Sequence, residues 1–128
     1  MKNGLASVYI VQADNGEVKV GITGSTPDAR LSKIKRDYAE RRRFKDAFVV
    51  CWVDTWNPTW FEQHLIEFHV DNAVGGEWLR CSSLVMLQTF VMLAKLYGVG
   101  PICMQGPPEH HVSVRVVRGW FRRRLLTP

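Results

Sequence analysis

The chain has 128 residues, 46% hydrophobic and 23% charged, with a net charge of +5, the make-up of one globular domain with a single modest core. Cys51, Cys81 and Cys103 are odd in number and show no CxxC spacing, which argues against a disulfide framework or a cysteine-rich zinc site and fits a reducing compartment. Residues 1–7 lack a signal-peptide core, and the longest apolar run, 84–96, is broken by Gln88 and Lys95 and too short to span a bilayer, so a cytoplasmic location and no membrane partner are expected.

The first expected elements are a β-hairpin and a helix start within residues 8–30. Val8, Ile10, Val11, Val18, Val20 and Ile22 are β-branched, as a half-buried ribbon prefers, and Asp14-Asn15-Gly16 between the two runs signals a hairpin. Thr26-Pro27-Asp28 then supplies an N-cap, a proline at the first helical position and an early acid, opening a helix over 27–38 or a little beyond. Leu31, Ile34 and Tyr38 recur at helical spacing on its sheet-facing side. Residues 47–53, AFVVCWV, read as a central strand buried on both faces, with Cys51 as a small buried hydrophobe. Asn57-Pro58 repeats the cap-and-proline start and opens a second helix to about residue 70. Phe61, Leu65 and Phe68 form its apolar stripe, with Glu62, Ile66 and His69 on a neighbouring face. Trp56 and Trp60 flank the turn before it, and packing is favoured over stacking on a base.

Gly75-Gly76 breaks the chain before a short extended piece at 77–79. Ser82 or Ser83 caps a third helix to about residue 97, with Gly98 as its stop. Beyond it, prolines mark a loop, Val112, Val114 and Val116 alternate as an edge strand would, and 119–124 is a basic aromatic tail. The fold class expected is α/β (α+β), a small, mainly antiparallel sheet begun by the hairpin and flanked by helices.

Thirteen of the 17 Lys and Arg fall in two segments, eight in 30–45 and five in 115–124. Such clustering points to a polyanionic partner, most plausibly nucleic acid, over a merely solvated helix face. Lys33, Lys35, Arg36, Arg41, Arg42, Arg43, Arg122, Arg123 and Arg124 are the candidate contacts.

Val8-Tyr9-Ile10 and Lys19-Val20-Gly21, about ten residues apart, resemble the two signature tripeptides of the GIY-YIG nuclease superfamily. VKVGIT followed by Pro27 and Arg30-Leu31 is similar to the phage- and bacteria-associated branch, in which lysine replaces the second tyrosine. Glu62 and Gly76-Glu77-Trp78-Leu79 fall where that branch has a helix glutamate and a Gly-Glu-Trp motif. The resemblance covers residues 7–80 within a domain of 1–98, leaving 99–128 as a C-terminal extension. Two positions depart from it: Ser7 or Val8 replaces the leading glycine, and Ile66 stands where histidine is frequent.

The resemblance implies a Mg²⁺-dependent (or Mn²⁺-dependent) endonuclease acting on DNA, with Tyr9, Lys19, Arg30 and Glu62 as catalytic residues. Glu62 is the metal ligand expected, because a hard cation is held by one or two carboxylates and several waters. Tyr9 would orient or deprotonate the attacking water, its phenol made more acidic by Lys19. Arg30 offers paired donors to phosphate oxygens, and Glu77 would orient Arg30 or Lys19 as a supporting acid. Taken singly, each has a plainer reading, as a strand tyrosine, surface charges or a structural salt bridge. Tyr9 and Lys19 share a sheet face only if the hairpin loop has an odd number of residues, so a three-residue loop with a left-handed Gly16 is predicted. The rival functions are a catalytically silent DNA-binding module and a phage-type protein-interaction or inhibitor domain; a homodimer is compatible with all three.

Overall fold

The computed structural model describes residues 4–105; the expected strand at 112–116 and the basic residues Arg122, Arg123 and Arg124 lie outside them. Among the described residues the architecture is α+β, a six-stranded antiparallel sheet flanked by three helices. Strand β1 (Ala6–Ala13) turns into β2 (Val18–Thr23), followed by helix α1 (Pro27–Arg42) and strand β3 (Ala47–Thr55). Helix α2 (Pro58–Phe68), a 3-10 turn (Val70–Asn72), two short strands β4 (Ala73–Gly75) and β5 (Trp78–Leu79), helix α3 (Ser83–Leu96) and β6 (Cys103–Met104) complete it. The strand order is β4-β5-β2-β1-β3-β6. The hairpin thus lies inside the sheet, and β3, between β1 and β6 and buried along most of its length, is an interior strand as expected.

The hairpin has the predicted parity. Ala13 N–H bonds Glu17 C=O at 2.9 Å, leaving Asp14, Asn15 and Gly16 as the loop, and Gly16 has φ +87°. Val11 then faces Lys19, and Tyr9 faces Gly21. All four side-chain positions share one face.

Two apolar layers follow from the alternation along β1. Val8, Ile10, Val18, Val20, Val53 and Leu79 pack under α2 and α3 with Phe61, Leu65, Phe90 and Leu93. Tyr9, Val11, Ala13 and Val49 lie on the opposite face with Ile34 of α1, Phe44 and Trp78. A bulge between Ile10 and Val11 shifts the β3 register there and lets the consecutive residues Val50 and Cys51 of β3 serve the same layer.

Thr26 caps α1 through its hydroxyl, as expected, accepting from Ala29 N–H at 3.2 Å. The helix runs on to Arg42 because Arg43, at φ 59°, closes it in a left-handed C-cap. At α2 the expected cap is only positional. Asn57 has ψ 60° rather than the extended value of a capping residue, and its side chain makes no cap hydrogen bond. Phe68 also departs from its expected place in the stripe and is 58% exposed. The helix ends there, and His69 takes the buried position, its Nε2 2.7 Å from Thr89 Oγ1 on α3. Burial lowers the pKa of His69, so this contact holds a neutral imidazole.

β6 lies in the segment assigned to the extension, yet it pairs with β3, and Gln105 Nε2 bonds Asp28 Oδ1 at 2.8 Å. Among the described residues no helix is long and apolar enough to cross a membrane.

Candidate active site

Tyr9 is 1% exposed, and its ring lies directly over Gly21 of β2. A Cβ on Gly21 would stand 2.2 Å from Tyr9 Oη and 2.4 Å from Cζ. Glycine is required there for space, not for backbone conformation, since Gly21 is not among the residues with positive φ. One pleat along, Lys19 is 3% exposed and its Nζ lies 2.5 Å from Glu77 Oε2. The same ammonium sits 5.7 Å from the Tyr38 ring centroid and 6.0 Å from that of Trp78, so two aromatic rings help to hold a desolvated cation.

Arg30, in the first turn of α1, hydrogen-bonds the Tyr9 side chain. Its Nε is buried and has no hydrogen-bond partner among the described residues. A buried guanidinium donor left open costs free energy unless an acceptor reaches it. The Arg30 pKa is raised above its usual value, chiefly by the Tyr9 hydrogen bond.

Glu62 comes from α2, in the opposite layer. β5 pairs with β2 only at Val18 and Lys19, which leaves the far half of β2 uncovered on that side. Glu62 is half-buried and feels both Glu77 and Lys19. Its carboxyl is pushed up to about 7, first by loss of water and then by the negative charge of Glu77, with Lys19 opposing. Tyr9 is thus within electrostatic range of Arg30, Glu62 and Glu77, and Glu62 within range of Glu77 and Lys19.

One expectation within this set changes. Lys19 pairs with Glu77, and the cation that hydrogen-bonds Tyr9 is Arg30. The phenol pKa is raised, because desolvation outweighs the lowering by Arg30. Tyr9 is a protonated, fixed hydrogen-bonding group in this state, not a phenolate base prepared by Lys19.

Comparison of the chain with protein-family models, with curated proteins and with solved structures finds no match.

The basic residues of α1 divide by role. Arg42 reaches inward, its Nε and Nη2 at 2.9 and 2.8 Å from Oε1 of Glu17, which is 5% exposed. It also lies 5.7 Å from the Trp78 ring. This corrects its expected place as a DNA contact, since a buried carboxylate claims its charge. Lys35 pairs with Asp46 at 2.9 Å and Arg36 with Asp37 at 3.7 Å, surface pairs that solvent and salt loosen easily. Lys33, Arg36, Arg41 and Arg43 are exposed. Arg42→Ala should destabilise the fold by about 1–3 kcal/mol, read as a fall in thermal midpoint. Lys33→Ala should leave that midpoint unchanged, because it removes only an exposed charge.

Sequence reasoning missed Gly21, Tyr38 and Glu17. Tyr38 was legible as one of the sheet-facing helix residues, eight positions after Arg30. Nothing in the sequence marks Glu17 as buried, since its burial depends on Arg42 arriving from 25 residues away. Trp56 also differs from the favoured packing role and is 62% exposed.

Proposed function

We propose that the protein is a Mg²⁺-dependent (or Mn²⁺-dependent) endonuclease that hydrolyses DNA phosphodiester bonds. The observation that supports it is the gathering of Tyr9, Lys19, Arg30 and Glu62 from two strands and two helices, beside an Arg30 Nε with no acceptor. Structural ion pairs alone do not require an open guanidinium donor beside a buried tyrosine.

Among the described residues no three His, Cys, Asp or Glu side chains form a metal cluster, but Mg²⁺ is commonly held by one or two carboxylates with waters and substrate phosphate. Glu62, repelled by Glu77, fits that donor chemistry. A bound divalent ion would supply charge stabilisation at the phosphate and the leaving oxygen. Arg30 would present Nε to a non-bridging phosphate oxygen while its bond to Tyr9 keeps the guanidinium oriented. Tyr9 would hold the attacking water by its hydroxyl, and Lys19 would add positive charge to the site while Glu77 keeps it in place. Lys33, Lys35, Arg36, Arg41 and Arg43 would hold the DNA backbone, so affinity should fall steeply with salt. Each of these removed should lower the slope of log K against log salt by about 1.

A plasmid-nicking assay with Mg²⁺ tests the reading. Wild type should nick, and Arg30→Ala and Glu62→Ala should each lose about 10²-fold or more in rate. Metal-dependent cleavage that survives both substitutions overturns the site assignment. DNA binding without any cleavage would favour a silent binding module, and no affinity for DNA at low salt a protein-interaction domain.

The Glu62 carboxyl gives a separate pH prediction. Its folded pKa, about 7, lies above the ordinary carboxylate value of 4.5, so the folded state holds the proton longer than the unfolded one. Its contribution to stability is full below the ordinary value and is lost as pH rises through about 7. Glu62→Gln should therefore melt higher than wild type at pH 8 and at about the same temperature at pH 4. Mg²⁺ affinity of wild type should rise with pH and level off above about 7 as Glu62 ionises; a Mg²⁺ affinity that does not change from pH 5 to 9 would remove Glu62 as the metal ligand.

A further inference from the structure

The turn into α2 carries a recess that the proposed chemistry does not use. It has a volume of about 410 Å³ and is lined by Trp56, Asn57, Thr59, Trp60 and Gln63, with Gly4 at its edge. Trp56 is 62% and Trp60 47% exposed, although indole is among the costliest side chains to leave in water. Trp60 is already fixed, its ring 4.2 Å from that of Tyr97 and 4.6 Å from that of His64, so stacking on it orders nothing further. Trp56 lies against Gly4, where an added Cβ would be 3.9 Å from its ring.

The polar groups of the recess are uncommitted. Asn57 occupies the N-cap position without making a cap bond. Neither its amide nor that of Gln63 has a hydrogen-bond partner among the described residues, and the lining contains no charged side chain. Flat aromatic surface with neutral donors and acceptors, and no charge to desolvate, complements an uncharged planar heterocycle. A charged peptide, a lone phosphate or an aliphatic chain would each leave one half of that lining unmatched.

The geometry points to a stacking subsite for one unpaired nucleobase, held by Trp56 and Trp60 with Asn57 and Gln63 at its edge. The inference rests on the nuclease reading for its substrate. Glu62 is two residues from Trp60 on α2 and so lies round the helix from it, one helix diameter, roughly 10 Å, away; a captured base would belong to a nucleotide close to the scissile phosphate. The substrate class then narrows to DNA with an extrahelical or single-stranded nucleotide beside the cut, since a base inside a duplex cannot reach the recess.

The test uses the full chain in EDTA, with three fluorescently labelled DNA hairpins: blunt, with a one-nucleotide thymidine overhang, and with the same overhang made abasic. Wild type should bind the thymidine overhang roughly 5- to 100-fold more tightly than the abasic one. Trp56→Ala should erase that difference while leaving blunt-hairpin affinity and the melting temperature unchanged, because Trp56 is largely exposed. Asn57→Ala should shrink the difference without erasing it. Equal affinity of wild type for the base and abasic overhangs overturns the inference, as does loss of blunt-hairpin binding in Trp56→Ala. A Trp56-dependent dimer without base discrimination also overturns it, assigning the recess to a second copy. Because binding is measured without metal, the two readings fail separately. Absence of nicking with discrimination intact removes the nuclease, and nicking without discrimination removes the subsite.

Discussion

Gly21→Ala should slow nicking severely while keeping every proposed chemical group in the chain. The new Cβ would stand 2.2 Å from Tyr9 Oη, and Tyr9 has no free space to retreat into, being 1% exposed between Gly21 on one strand and Trp52 on the other. Forcing the pair together should cost about 1–3 kcal/mol of stability, the range for overpacking a filled core. A ring displaced by about 1 Å should also lower the nicking rate by roughly 10²-fold. The cause is specific and can be isolated by a double-mutant cycle. In a Tyr9→Leu background, Gly21→Ala should cost almost nothing in urea denaturation, because the atoms it strikes are gone. Should the two substitutions simply add, the close approach is not what makes glycine necessary. Gly21→Ala with unchanged nicking would remove Tyr9 from the site.

The second large effect is an asymmetry within one ion pair. Lys19 is 3% exposed, whereas the side chain of Glu77 is 46% exposed. Glu77→Ala leaves a buried ammonium without its nearest acid and should cost about 1–3 kcal/mol, with Glu62 and the rings of Tyr38 and Trp78 softening the loss. Lys19→Met removes the buried charge at similar volume and should cost less than about 1 kcal/mol, or stabilise. Activity should run the other way. Lys19→Met should nick poorly although it folds well, and Glu77→Ala should retain part of its activity at temperatures where it is still folded. Glu77→Ala should also shift the Glu62 titration downward from about 7, because the second-largest cause of its rise is removed. Equal destabilisation by both substitutions would show that the pair is held by something other than the burial of Lys19.

The hairpin was legible in the sequence because its geometry reduces to counting. Three turn residues place Lys19 and Tyr9 on one face, and no long-range information enters. The starts of the three helices were legible for a similar reason, since cap residues and proline act within one turn. The end of α1 was not. Residues 39–42 carry no apolar stripe, and the last turn is held by a tertiary partner, Glu17, which binds Arg42 from 25 residues away. β5 was legible as the short extended piece after Gly75-Gly76, but β4 and β6, three and two residues long, are too short to show a period of two as pattern. The pairing of Lys19 with Glu77 was given as one of two options, and choosing between them needed the position of β5 beside β2. The reversal at Tyr9 was illegible because its pKa depends on how deeply the ring is covered, which no local spacing encodes. Asn57 misled for the opposite reason, a strong local signal at a position whose ψ of 60° is not that of a capping residue and whose side chain makes no cap bond.

Since residues 14–16 alone set which way β2 faces, the chain should tolerate exchanges in this loop far better than changes in its length. Losing one residue there would turn Lys19 and Gly21 toward the oily layer beneath α2 and α3 and bring Val18 and Val20 round beside Tyr9. Such a variant would differ by a single amino acid and lose its centre altogether, so insertions and deletions, more than point substitutions, should be the changes this fold cannot survive.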